Sequence, residues 1–150
     1  MMTTVKEVFT SDDLKVLKSA AKSYIEKLNG EHWMVMPYLP AGAVKAYTEN
    51  SRKIEDRVNN LIRKMESLFT SQLYESCQKP VIDNEDFSLM AMIVSLENSK
   101  ISNIQTQALM LLSSVNVENK YLKEVIGNID KDLRELTEAF ARYNNAMHAR

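Results

Sequence analysis

Leu122, Ile126, Ile129, Leu133, Leu136, Phe140, Tyr143 and Met147 form an apolar ladder whose steps alternate between four and three residues. That spacing returns side chains to one stripe of a helix, and a stripe this long leaves water only by meeting another helix. The segment before it carries a second ladder, Phe87, Met90, Val94, Ile101, Ile104, Ala108, Leu111 and Val115. Most of the C-terminal half is therefore predicted to be organised by helix-to-helix packing.

The rest of the chain agrees with a helical reading. Its 150 residues hold three glycines and three prolines, of which only Gly127 lies beyond residue 80, and good helix formers dominate. The expected fold is all-α: an antiparallel bundle of three or four long, coiled-coil-like helices in a single domain over residues 1–150. Nineteen basic and twenty acidic side chains nearly cancel and intermix, so no basic track for DNA, RNA or an anionic membrane stands out. The single cysteine, Cys77, beside Leu73 and Tyr74, reads as a buried structural thiol. The N-terminus lacks the basic start and apolar run of a signal peptide, and no stretch reaches the roughly eighteen apolar residues of a membrane span. A soluble, cytoplasmic protein is the expectation, with leaderless export left open.

Ser11-Asp12-Asp13 offers a helix start, with Ser11 as cap and acids in the first turn. The first helix is predicted over about 12–29, with Asn29-Gly30 as its stop. In the connector that follows, Pro37 and Pro40 forbid a regular helix, yet Trp33, Met34, Val35, Met36, Tyr38 and Leu39 are large and apolar. Such a connector either caps the end of the bundle or forms an exposed recognition patch, and Trp33 and Tyr38 are residue types that carry binding energy. The second helix is predicted over about 43–78 on the stripe Val44, Tyr47, Ile54, Val58, Leu61, Met65 and Leu68, stopped by Lys79-Pro80.

Asp83 or Asn84 caps a third helix, antiparallel to the second because the connection is short. Residues 84–114 and 117–148 are then either two helices with a turn near Asn116 or one continuous rod of roughly 95 Å pairing with a second copy. The turn is preferred, because it lets the chain bury all its own seams. The ladder stutters through Leu111, Val115, Asn119 and Leu122, and Glu97, Gln72 and Asn119 occupy seam positions where a polar group either sets register or lies where the helices splay.

Chemistry-bearing patterns are scarce. Neither His32 nor His148 is preceded by an acid at the spacing a four-helix carboxylate metal site needs, and no Cys or His spacing suits zinc. Gly30, Gly42 and Gly127 stand alone, so no phosphate-cradling loop is present. Asp130-Lys131-Asp132 with Glu135 and Glu138 reads as the wet face of a helix. Arg52, Lys53, Arg57, Arg63 and Lys64 alternate with Glu49, Glu55, Asp56 and Glu66, which predicts intrahelical pairing. No catalytic residue, metal or cofactor is expected.

The functional expectation is a non-enzymatic helical interaction or assembly protein, a homo-oligomer or the partner of another helical protein. Its predicted contact residues are Leu122, Ile126, Ile129, Leu133, Leu136, Phe140 and Tyr143, with Trp33 and Tyr38 in the connector. Residues 88–120, a seam interleaved with Ser, Asn and Gln, resemble in composition the helical components and chaperones of bacterial secretion machines. That resemblance implies export, or the chaperoning of a helical exported partner, as an alternative. A further alternative is a ligand-binding regulatory bundle lined by Met90, Met92 and Met110 with the connector as lid.

Overall fold

A computed structural model describes residues 8–74, 76, 78–114 and 119–148, the side chain of Asn119 excepted. The protein is all-α: α1 (Ser11–Val35), a single 3-10 turn (Met36–Tyr38), α2 (Ala41–Leu73), α3 (Asn84–Ser114) and α4 (Asn119–His148), with no strand among the described residues. The helices pack as a bundle in two compact units, one comprising residues 1–17 and 94–150 and the other residues 18–93, so the boundaries fall inside α1 and α3.

Both α1 and α3 begin with the same device. Thr10 caps α1: its hydroxyl Oγ1 accepts from the Asp13 N–H at 3.1 Å, and Asp13 Oδ2 accepts from the Thr10 N–H at 3.0 Å. Asp83 caps α3 in the same reciprocal way with Asp86, at 2.8 and 3.3 Å. The carbonyls of Thr10 and Asp83 accept the first helical bonds, from Leu14 and Phe87. The cap of α1 is thus Thr10 and not Ser11, because only Thr10 stands three residues before an acid that can answer it. Thr10→Ala is expected to cost about 1 kcal/mol and Ser11→Ala close to nothing, a difference that paired thermal melts resolve.

Each second acid is buried and is neutralised by a base on a neighbouring helix. Arg142 Nε of α4 donates to Asp13 Oδ2 at 2.8 Å, and Lys64 Nζ of α2 donates to Asp86 Oδ2. In the first unit Phe9, Leu17, Val94, Leu136, Ala139 and Tyr143 form the core, with the Phe9 and Tyr143 rings 5.8 Å apart. In the second, Val58, Leu61, Ile62, Met65 and Leu68 of α2 are buried, as are Ala20, Ala21, Met90 and Ile93. Val58, Leu61, Met65, Leu68, Met90, Val94, Leu136 and Tyr143 lie on the stripes that the sequence periodicity marks out, whereas Phe9, Ala20, Ile93 and Ala139 lie off them.

Helix ends depart from expectation where tertiary contacts intervene. α1 continues through Asn29 and Gly30 to Val35, because Gly30 keeps right-handed helical backbone. The roughly 1 kcal/mol that a mid-helix glycine costs is offset in the last turns, where His32 stacks on Tyr47 of α2 at 5.3 Å and Val35 is half-buried. α2 begins at Ala41, two residues early, with Pro40 as its cap residue. It ends at Leu73 instead of running to 78: Tyr74 is extended, and Gln72, Leu73 and Tyr74 are exposed, so no packing holds a further turn. Gln72 is thus exposed.

α3 and α4 are two helices. Gln105 Nε2 donates to Asp130 Oδ1 at 3.0 Å across 25 residues, a separation that would span roughly 37 Å along one rod. The chain therefore folds back, and the two helices lie antiparallel. The expected turn at Asn116 lies outside the described residues, as does Cys77.

Candidate protein-interaction surface

α3 and α4 lie side by side in this hairpin, and the burial of their ladders is graded along it. At the end near Tyr143 they are closed: Val94, Leu136, Ala139 and Tyr143 are buried, and Phe140, half-buried, lies against Tyr143 with ring centroids 6.4 Å apart. Leu122, Ile126, Ile129 and Leu133, farther from that end, are only half-buried. On α3 the same heptad line runs outward to Ile104 and Leu111, which are 48% and 64% exposed, and Met110 beside them is 69% exposed. Tyr121, at the start of α4, is half exposed, with the Lys120 ammonium 5.0 Å from its ring centroid.

The physical cause of the gradient is coverage. One neighbouring helix hides only part of a stripe that is more than about 100° wide, so the remainder needs a third element. The α1 start and Phe9 are assigned to the closed end of this unit through the Asp13–Arg142 pair and the Phe9–Tyr143 contact. No charged side chain relieves the open stretch on α3: residues 101–114 contain no Asp, Glu, Lys or Arg, in a chain that is 26% charged. Its exposed surface is instead Ile104, Met110 and Leu111 among Ser102, Asn103, Thr106 and Gln107.

Of the contact residues expected from sequence, Leu136 and Tyr143 are consumed by the core of their own unit, so neither is free to meet a partner. Sequence periodicity locates such a stripe without saying which part its own chain covers. Leu122, Ile126, Ile129, Leu133 and Phe140 retain partial exposure. Ile104, Met110, Leu111 and Tyr121 complete the surface and were not among the expected contacts. The charge-free run 101–114 is the sequence signal that points to the first three.

In the other unit, Trp33 and Tyr38 are 72% and 87% exposed, and Met34 is exposed beside them. His32 joins this ledge, stacked on Tyr47 and edge-on to Trp33 at 6.2 Å. Of the connector's large side chains Trp33, Met34 and Tyr38 thus stand in solvent, while Val35, Met36 and Leu39 are half-buried.

Elsewhere the charged residues are occupied between helices. Arg57 pairs with Glu85 of α3 at 3.3 Å, Lys64 with Asp86, and Glu66 with Lys18 of α1 at 3.2 Å. Intrahelical pairing on α2 is the weaker description of that run. On α4 the acids expected to be wet are exposed, with Lys131 to Glu135 at 3.8 Å and Arg142 to Glu138 at 3.6 Å as ordinary one-turn pairs. Glu97, at a seam position of α3, is half-buried and 3.9 Å from Lys100.

Two carboxyls and three methionines bear on chemistry. Burial pushes the Asp13 carboxyl up, but the hydrogen bonds from Arg142 and Thr10 outweigh it and hold the group below the usual carboxylate range. The backbone hydrogen bond from Asp86 likewise holds Asp83 low. Met90 is buried, whereas Met92 and Met110 are exposed. An open cleft of about 530 Å³ is lined by Arg63, Glu66, Ser67, Thr70 and Gln78, all polar. Among the described residues no three His, Cys, Asp or Glu side chains gather as a metal site, and no helix is long and apolar enough to cross a membrane. The chain matches no protein family, no curated protein and no solved structure.

Proposed function

We propose that the protein is a non-enzymatic helical interaction module whose contact surface is the open end of the α3–α4 hairpin. The observation that carries this reading is the continuation of the α3 ladder, buried at Val94, onto Ile104 and Leu111, which its own chain leaves exposed, with Met110 and Tyr121 exposed next to the ladders in sequence. Burying a side chain of this kind contributes roughly 1.5–3 kcal/mol before entropy is charged. A charge-free helical face is suited to that use, because it meets an apolar partner without stranding an ion.

A photo-reactive phenylalanine analogue placed at Met110 tests the reading in cells, with the same analogue at Arg63 as an exposed polar control. A discrete protein adduct at position 110, absent at 63, is the expected result. No adduct at 110, or equal adducts at both positions, would overturn it.

A further inference from the structure

We infer that the corner between α1 and α2 docks on a lipid surface, with Trp33, Met34 and Tyr38 entering the headgroup layer of an anionic bilayer. This corner lies in the other unit, and the inference goes beyond the α3–α4 reading above.

Position is the first argument. α1 and α2 run antiparallel, with Lys18 on Glu66 and His32 on Tyr47, so residues 33–40 form the corner where the chain reverses. Trp33, Met34 and Tyr38 stand out from it at 72%, 74% and 87% exposure. Consecutive helix positions point about 100° apart. Trp33 and Met34 therefore diverge at the end of α1, and Tyr38 ends the 3-10 turn beyond them. Side chains that diverge from a corner share no single stripe for another helix to cover. A fluid interface accepts all three, because lipid rearranges around each.

Residue type and charge are the second argument. Trp and Tyr settle at headgroup level, since each has an apolar body and a polar tip. Val35, Met36 and Leu39, half-buried, give the corner an apolar base. From residue 32 to residue 48 the one formal charge, with His32 neutral, is the exposed Lys45, and no acid occurs. Of the acids just outside that stretch, Glu31 is paired with Lys27 at 4.0 Å, and Glu49 stands one turn farther along α2 than Lys45. Anionic headgroups thus meet a cation at the corner and no carboxylate.

The corner is also held in its exposed form before it meets lipid. His32 stacks on Tyr47 at 5.3 Å, and Pro37 and Pro40 fix the backbone between the helices, so docking carries little ordering cost.

Trp33 is the chain's single tryptophan, so its fluorescence reports from the contact itself. When the full chain is titrated with vesicles of mixed phosphatidylcholine and phosphatidylserine, Trp33 emission is expected to move to shorter wavelength and to be quenched by lipids brominated high on their acyl chains. Met34→Ser with Tyr38→Ser leaves the reporter in place and is expected to weaken binding by about tenfold. Far-ultraviolet helicity should be unchanged, since both side chains are exposed. Lys45→Gln is expected to weaken binding to these vesicles by about fivefold and to leave any binding to pure phosphatidylcholine unaltered. Ile104→Glu with Leu111→Glu on α3 is expected to bind vesicles as wild type does, which keeps this result apart from that of the interaction reading. Trp33 emission that does not move with vesicles, or vesicle binding indifferent to both corner variants, would overturn the assignment. So would a photo-reactive phenylalanine analogue at Tyr38 that captures a protein in cells instead of lipid.

Discussion

Arg142→Ala is expected to destabilise the protein by about 3 kcal/mol, because it removes the partner of a buried carboxylate and leaves Asp13 with an uncompensated charge. The cost sits at the low end for such a loss, since Asp13 keeps its two bonds with Thr10 and the Arg142 side chain is 23% exposed. Urea unfolding at neutral pH measures it. The pH dependence has a definite sign. The folded Asp13 carboxyl lies below its unfolded value of about 3.9, so its contribution is complete above that pH and is lost as pH falls through the folded value. The wild-type advantage over Asp13→Asn should therefore be largest near neutrality and shrink at about pH 3. In Arg142→Ala the bond that lowers the carboxyl is gone while burial still raises it, so acid destabilisation begins at higher pH than in wild type. An Arg142→Ala chain as stable as wild type at pH 7 would show that the pair carries no net stabilisation.

Leu61→Ala is expected to cost about 3 kcal/mol and to lower the melting temperature by roughly 10 °C, for a different reason. Leu61 is fully buried between Val58 and Met65 along the α2 stripe, and truncation leaves a cavity that rigid helices close only in part. Leu73→Ala, twelve residues further along the same helix and 56% exposed, is expected to change stability by no more than about 0.5 kcal/mol. Calorimetry on the pair separates burial from residue type, since both substitutions remove the same atoms. Equal losses would mean that Leu73 is covered in solution.

The repeated helix start illustrates what was legible and what was overlooked. Phe9-Thr10-Ser11-Asp12-Asp13-Leu14 and Ile82-Asp83-Asn84-Glu85-Asp86-Phe87 share one pattern: an apolar residue, a cap, a polar residue, an acid, an answering Asp, and a second apolar residue. A start was expected at both places, and the acids were credited to the helix dipole. Their larger role lies in the reciprocal bond to the cap and in the ion pair that each completes with Arg142 or Lys64. A local pattern announces the first of these. The second joins residues 129 and 22 positions apart, and no spacing rule reaches that far.

Sequence by itself determined that the chain is all-α, roughly where its helical stretches lie, with one or two helices left open over residues 84–148, and which face of each is apolar. Those properties follow from backbone propensity and a 3.6-residue period, both of which act over one or two turns. Tertiary structure alone decided that α1 outruns Gly30, that α2 stops at Leu73, and that α3 and α4 are two antiparallel helices. It also decided which rungs of each ladder are spent inside, with Leu136 and Tyr143 buried while Ile104 and Leu111 stand open. A stripe records only that a helix has something to bury. How much of it is covered depends on neighbours brought in from distant parts of the chain, and the candidate contact surface is the part they leave uncovered.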